Sequence, residues 1–490
     1  MKSSSWILLV IGLLLLAVSL TQIHNAAQDL ETIKIPDSTP PTTIIAPSNA
    51  QEGARPVVLI GHGFAGSGLL MRGFALSLAH AGYLTVSWDF DGHGTNPSPF
   101  PEDMSSDALI MNAEFALEEV TNHGFDVSDR VAILGHSMGS GVALSYGIKH
   151  PETAATIAVS PIARSVTPTL PRNLLLMAGS LEQRFVQTAE QLLSDAGGPG
   201  GDPNLGTARA FHVVHGVEHI TILFATDSHL TAREWLDATF GPQPGAVEYN
   251  DQRMTWYGLG ILGVFFIGWA VTPLFRTSQL GPASDRPIWR KFTAPIVGAL
   301  VATVILWLMG KAGLELGSLL GLMVGGYLLF WFALAGLISL IYLQGKISLP
   351  SRRTLFGGLI AFAVLWLGVG LLAHFVWLPW LLIPRRLVLW PLGALLAFPW
   401  FLAIGETVRG EGFISRLLGW VWHTVVLGAG FVLALRLVPE LFILVLILPL
   451  LPIVNGLLEL VTARLRGSWP FAISGALFMS WVILAVFPMI

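Results

Sequence analysis

The residues best suited to chemistry are Gly135-His136-Ser137-Met138-Gly139, a G-x-S-x-G pentapeptide. It follows the β-branched run Val131–Leu134 and opens a helical pattern, so it predicts a strand–turn–helix corner with the Ser137 hydroxyl exposed at its tip. A helix starting there points its first amides at the same spot, where developing negative charge can be stabilised. A second segment, His62-Gly63-Phe64-Ala65-Gly66-Ser67, follows the run Val57–Ile60. Acyl transfer needs two N–H donors aimed at an oxyanion. The residue after the nucleophile, Met138, and the early loop, at Phe64, are the candidates. Late in this region comes His215-Gly216-Val217-Glu218-His219. Its H-x-x-E-H spacing could bind zinc only on a helix, and the β-like run before it and Gly216 within it argue against one.

These residues need a rigid frame. Val57–Ile60, Leu84–Trp88, Val131–Leu134, Ala155–Ser160, Leu174–Ala178 and Ala210–Val214 read as buried strands. Leu69–Ala81, Ser106–Asn122, Met138–Lys149, Glu182–Ala196 and Thr231–Phe240 read as the helices between them. This alternation predicts a mostly parallel sheet with helices on both faces. One or two edge strands are expected around Thr42–Ile45, and Gly197–Gly201 reads as a surface loop.

Taken together, residues Pro56 to Phe240 resemble the α/β-hydrolase superfamily, specifically its dienelactone hydrolase-like and monoacylglycerol-lipase-like esterases. Asp89-Phe90-Asp91-Gly92-His93-Gly94 is similar to the D-x-x-G-H-G turn of that family, which makes His93 a turn residue. The resemblance implies a catalytic order of serine, acid, histidine. Glu182, in Gly179-Ser180-Leu181-Glu182, stands where the family usually has aspartate; Asp195 and Asp202 remain as alternatives. The family's G-x-x-H ending implies His219 as the base, with His215 the lesser candidate. After Ser160, Pro161–Arg172 is too short for the helical cap of many lipases. That implies a small or flexible ester, or a site roofed by the rest of the chain.

The remainder is of another kind. Of 490 residues, 53% are apolar and 12% charged, and mean hydropathy is +0.66. Soluble domains hold ~25% charged residues, so a wholly soluble or disordered chain is excluded. Residues 24–254 carry 25 Asp/Glu against 11 Lys/Arg, whereas 255–490 carry 6 against 15. Neither part has the basic stripe of a nucleic-acid binder. The absence of cysteine removes thiol nucleophiles and Cys-ligated zinc, and no pattern asks for a metal or cofactor. Trp6 to Ile23 reads as a signal anchor or signal peptide. Its apolar part is roughly 23 Å long at ~1.5 Å per residue, and Ala17-Val18-Ser19 offers a cleavage site.

The expected organisation is therefore a transmembrane segment in 1–23, a linker with edge strands in 24–55, a hydrolase domain in 56–245 and an all-α polytopic membrane domain in 255–490. Eight spans are expected there, near 255–275, 293–311, 317–343, 354–377, 387–404, 417–437, 440–461 and 470–490. Prolines 379, 384, 391 and 399 suggest a broken or re-entrant helix over 378–404. Alternating loops gather Arg276, Arg286, Arg290, Lys291, Lys346, Arg352, Arg353, Arg409, Arg416, Arg464 and Arg466 on one side. Lys311, Arg385, Arg386 and Arg436 fall on the other. The positive-inside bias makes the first side cytoplasmic and the hydrolase domain extracytoplasmic, as in a bacterial plasma-membrane protein. Within the spans, His374, Glu406, His423, Asn455 and Glu459 are expected at helix ends or in packing, and Gly317, Gly321 and Gly325 on a helix-packing face. Trp377, Trp380 and Trp420 are expected as interface anchors.

The function expected is a membrane-bound serine hydrolase of esterase or lipase type, acting on a small-molecule or lipid ester through Ser137, His219 and Glu182. The alternatives are an acyltransferase with the same residues, or a non-catalytic, transport-coupled module.

Overall fold

The computed structural model describes residues 3–48, 54–101, 107–127, 130–271, 274, 287–344, 347, 349–407, 413–463, 465 and 467–490. The chain divides into two compact units. One comprises Leu20–Tyr257 with Ala373–Pro379; the other comprises Met1–Ser19, Gly258–Leu372 and Trp380–Ile490.

The first unit is built on eight strands: β1 (Leu30–Ile35), β2 (Thr42–Pro47), β3 (Val57–Gly61), β4 (Leu84–Trp88), β5 (Val131–His136), β6 (Ala155–Val159), β7 (Leu174–Gly179) and β8 (Arg209–Val214). They form one sheet in the order β1-β2-β4-β3-β5-β6-β7-β8. The first two pairings, β1–β2 and β2–β4, are antiparallel, and all others are parallel. Every residue of β3, β4, β6 and β7 is buried, which is why these strands read as unbroken apolar runs. Side chains of β7 alternate between two cores. Leu175 and Met177 join Val58, Ile60, Phe74 and Leu134 on one face. Leu174 and Leu176 join Leu144, Ala189 and Leu192 on the other.

The covering helices are α2 (Arg72–His80), α3 (Asp107–Asn122), α4 (Met138–Lys149), α5 (Gln183–Asp195) and α6 (Thr226–Phe240). Helix α6 begins five residues before the expected Thr231. A short 3-10 turn, Gly68–Met71, precedes α2 where continuous helix was expected. The start of the expected Ser106–Asn122 helix lies outside the described residues. One edge strand falls where expected; β1 is an addition.

Eight helices among the described residues are long and apolar enough to cross a membrane: α1 (Ser3–Asn25, its apolar part starting at Ser5), α7 (Arg253–Val271), α8 (Ile288–Lys311), α9 (Gly325–Leu343), α10 (Arg352–Val376), α11 (Pro384–Thr407), α12 (Phe413–Leu437) and α14 (Ser468–Val486). Leu20–Asn25 of α1, Arg253–Tyr257 of α7 and Ala373–Val376 of α10 belong to the sheet unit and the rest to the second. A further pair, Pro439–Val445 and α13 (Leu450–Thr462), is bent by 55° and gives nine if taken as one span. These helices are consistent with a multi-pass membrane protein.

Two expectations fail here. The break falls within 439–462, while α11 runs through Pro391 and Pro399 as one helix. Pro449 is the N-cap of α13, a position where a helix has not yet begun to need its proline's missing N–H. Nor do the three glycines share a helix face. Gly317 and Gly321 lie in a 3-10 turn, Leu316–Gly321, with Gly321 at φ +66°.

The polar residues of this unit pack inside it. Arg386 is 1% exposed, and its Nη1 donates to the carbonyls of Leu484, Ala485 and Phe487. It thereby caps the C-terminal end of α14, whose last carbonyls lack intrahelical donors. Trp400 Nε1 donates to His423 Nε2 at 3.0 Å, Asn455 Nδ2 to Thr424 Oγ1 at 3.3 Å, and Ser468 Oγ to Glu406 Oε1. Trp380 is 4% exposed, and Trp420 donates to the Pro452 carbonyl, so both pack rather than only anchor. Arg276, Arg286, Lys346, Arg409, Arg464 and Arg466 lie outside the described residues.

In the sheet unit, Asp251 holds Arg253 bidentately, at 2.6 Å from Nε and 2.6 Å from Nη2, with side chains 3% and 5% exposed. Burial alone would raise the Asp251 pKa, but the Arg253 guanidinium outweighs it and holds the carboxyl below its usual range. Asp251→Asn leaves a buried guanidinium without its counter-charge. It is expected to cost about 3–5 kcal/mol, read as a lowered thermal midpoint of the full chain; an unchanged midpoint would show that the pair contributes nothing net.

Candidate active site

Three consecutive parallel strands end together. In the register, Gly61 of β3 faces Gly135 of β5, and His136 of β5 faces Val159 of β6. Loops leaving the C-terminal edge of such a sheet converge, and this is where α/β folds place ligands.

Ser137 occupies the corner between β5 and α4 with φ +51° and ψ −116°, a conformation that costs a side-chain-bearing residue of order 1–3 kcal/mol. Packing enforces it. A Cβ on Gly135 would lie 1.9 Å from the Gly139 carbonyl oxygen, and one on Gly139 would lie 2.5 Å from that of Gly61. Only glycine fits at either position. The Ser137 N–H donates to Val159 O at 2.9 Å, and the Ser137 carbonyl accepts from Ser140 N at 2.9 Å and Ser140 Oγ at 2.6 Å. The hydroxyl is thus aimed by backbone bonds on both sides.

His219 Nε2 lies 3.1 Å from Ser137 Oγ, and His219 Nδ1 lies 2.8 Å from Glu182 Oε2. Since the carboxylate only accepts, Nδ1 carries a proton and Nε2 is left as the acceptor facing the serine. The imidazole is stacked on Phe185 with ring centroids 4.4 Å apart. Glu182, at the N-cap of α5, uses its other oxygen to accept from Gly179 N at 2.6 Å and Ser160 Oγ at 2.7 Å. Those two donors fix the longer side chain that glutamate brings. The other carboxylates considered are occupied elsewhere: Asp195 accepts from Gln191, and Asp202 caps the turn at Asn204.

Strand β8 ends at Val214, and Gly216 turns the chain at φ +75°. The H-x-x-E-H residues therefore lie on a turn. Glu218 accepts from the amides of Ile220 and Thr221 at 2.9 Å each, which shapes the loop carrying His219. His215 is not part of the serine–histidine–glutamate chain of contacts.

The early loop is tied down as firmly. The Phe90 N–H donates to His62 Nε2 at 3.0 Å, so His62 Nδ1 is the donor to Gly63 O at 2.7 Å. Asp89 accepts from Gly68 N, Thr95 N and Thr95 Oγ1, and His93 Nδ1 lies 3.0 Å from Asp91 O, as a turn residue would. Met138 is the first residue of α4, and a helix leaves its first amides without an internal acceptor. Among the described residues, neither the Phe64 nor the Met138 N–H has a protein acceptor.

Three contributors were not legible in the sequence. Ser160 follows β6 and supports Glu182. His136 Nε2 donates to the His219 carbonyl at 2.9 Å, and its ring lies 4.7 Å from that of His219. Trp377, expected as an interface anchor, belongs to the Ala373–Pro379 segment of this unit. Its Nε1 donates to Ala65 O at 3.0 Å, and its carbonyl accepts from Ser67 Oγ at 2.8 Å. That braces the loop beside Phe64, where Ala65 sits at φ +60°.

The sheet unit has the α/β-hydrolase fold. Residues 52–202 match the family model described as serine aminopeptidase, S33. The esterase YjfP of Escherichia coli (strain K12) is 28% identical over 143 residues, which cover 25% of this chain. The chain spans only about half, 55%, of that esterase's length. The crystal structure of a predicted CIB-like hydrolase from Thermoplasma acidophilum aligns with 42% of this chain and 97% of its own, at 18% identity and a TM-score of 0.34.

The α/β-hydrolase unit holds three histidines buried and neutral. Burial pushes His62 and His229 below the usual imidazole range, and burial with the nearby His219 pushes His136 well below it. In the unfolded chain each would take up a proton near pH 6.5. The stability they contribute is therefore complete above that pH and is lost as pH falls below it, at up to ~1.4 kcal/mol per unit for each ring. The thermal midpoint of the full chain is expected to drop steeply between about pH 7 and pH 5, and less steeply in His136→Gln. A midpoint flat over that range would mean these rings protonate in place.

Proposed function

We propose that this chain is a membrane-integrated serine hydrolase that cleaves carboxylic esters through an acyl-enzyme on Ser137. The observation that carries this reading is the unbroken contact from Ser137 Oγ to His219 Nε2 at 3.1 Å and from His219 Nδ1 to Glu182 at 2.8 Å.

In the proposed reaction, His219 Nε2 takes the Ser137 proton as Oγ bonds to the ester carbonyl carbon. The oxyanion formed accepts from the N–H groups of Phe64 and Met138. Collapse breaks the bond to the alkoxy oxygen, which leaves with the proton from His219. Water then repeats the sequence: it gives a proton to His219 and attacks the acyl carbon. The carboxylic acid leaves, and the proton returns to Ser137. Glu182 holds the imidazole in the tautomer that both halves need and stabilises its charged form.

The segment from Pro161 to Asn173 contains no helix, which supports a small or flexible ester over a bulky one. The name of the E. coli relative also favours an ester. The proposed site lies on the extracytoplasmic side. This rests on the eleven basic residues against four in alternating loops, and on the apolar helix α1 ahead of the first strand.

A fluorophosphonate probe tests this in purified full-length protein. Labelling is expected in the wild type and not in Ser137→Ala. Glu182→Gln, which removes the carboxylate charge and turns an NH2 donor toward His219 Nδ1 while its oxygen stays with Gly179 and Ser160, is expected to lower turnover of p-nitrophenyl esters on the order of 10³- to 10⁴-fold. Labelling that survives in Ser137→Ala, or full turnover in Glu182→Gln, would overturn the assignment.

A further inference from the structure

A cavity of about 490 Å³ opens in the sheet unit, well away in sequence from Ser137, and its polar lining is His24, Gln28, Thr32, Lys34 and Arg72. Three separate elements make it. His24 and Gln28 are four residues apart at the end of α1 and its closing turn, so they share a face. Thr32 and Lys34 are alternate residues of β1, so they too share a face, and β1 is the edge strand with nothing paired beyond it among the described residues. Arg72 is the first residue of α2.

The lining is all cationic or neutral, inside a segment where acids outnumber bases 25 to 11. Among the described residues, neither Lys34 nor Arg72 forms a salt bridge or a side-chain hydrogen bond. The carboxylate that Arg72 senses, Asp251, is taken bidentately by Arg253. Arg72 is therefore a half-buried guanidinium with no counter-ion. Burial and the charge of Arg253 both push it below its ordinary range, so an anion beside it would relieve an existing cost. A guanidinium with an ammonium and an imidazole is the donor set that suits a phosphate group, the arginine as a planar fork and the lysine as a point charge. The volume falls within the range of small-molecule sites.

We infer that this cavity is an anion site that takes a phosphate group, held by Lys34 and Arg72 with His24, Gln28 and Thr32 as additional donors. It stands apart from the ester reading and does not depend on it. The phosphate could arrive on a lipid or in solution. The chain leaves the apolar span Ser5–Asn25 within one residue of His24, at the depth where phospholipid headgroups lie, and that favours the lipid.

The test uses detergent-purified full-length protein with radiolabelled inorganic phosphate in equilibrium dialysis. A second arm takes thermal midpoints in phosphatidylcholine nanodiscs with and without phosphatidylglycerol. Lys34→Gln, an exposed edge-strand change that should leave folding intact, and Arg72→Gln are compared with the wild type in both. Phosphate binding weakened at least tenfold in both variants supports the site and a soluble ligand. A midpoint raised by phosphatidylglycerol in the wild type, and not in the variants, supports the site and a headgroup. No response in either arm, or an equal response in wild type and Lys34→Gln, would overturn it.

Discussion

The sheet unit depends on one close approach of backbone. The carbonyls of Gly61, His62 and Gly139 crowd the corner after β5 so tightly that no Cβ fits at Gly135 or Gly139. Ser137 is held at φ +51° as a result. The register that sets Gly61 opposite Gly135 also brings the Phe64 loop beside the start of α4. Parallel pairing, glycine spacing and the exposed hydroxyl are thus one constraint seen at three scales. Its strain is offset by the buried strands on either side, which leave the corner no other conformation.

Around that corner the site is built from rigid hydrogen bonds between loops distant in sequence. Glu182 is anchored by Gly179 and Ser160, His219 by Glu182 and, through its carbonyl, by His136. The loop bearing Phe64 is bound by His62 on one side and Trp377 on the other. In the proposed reaction, such preorganisation means that the groups need little rearrangement as charge develops. Trp377 adds a further point: a residue more than 300 positions after the loop it braces packs with the sheet unit, so that unit is not made of one continuous stretch of chain.

What could be read from the sequence follows from where physics is local. Leu84–Trp88 and Met138–Lys149 have the bounds expected of them, because unbroken burial and a glycine corner leave clear marks. Glu182 and His219, which the family pattern implied, lie within hydrogen-bond reach of each other. Strand β1 was not singled out, since Leu30–Ile35 carries Glu31 on one face and Lys34 on the other, which breaks both an alternating and a continuous apolar signal at its exposed edge. The bent span was sought in the wrong place, because counting prolines ignores whether a helix can carry them inside, as α11 does. Ser160, His136 and Trp377 were invisible for a common reason. Their partners are set by which strands and segments lie side by side, and no short window of sequence contains that.

The most direct measurement is intact-protein mass spectrometry after a brief reaction of the full-length chain with p-nitrophenyl acetate and an acid quench. An acyl-enzyme on Ser137 requires one added acetyl group, mapped by digestion to the peptide carrying Ser137 and absent when that residue is alanine. Acetylation elsewhere with Ser137 unmodified, or ester cleavage that proceeds unchanged without its hydroxyl, would contradict it.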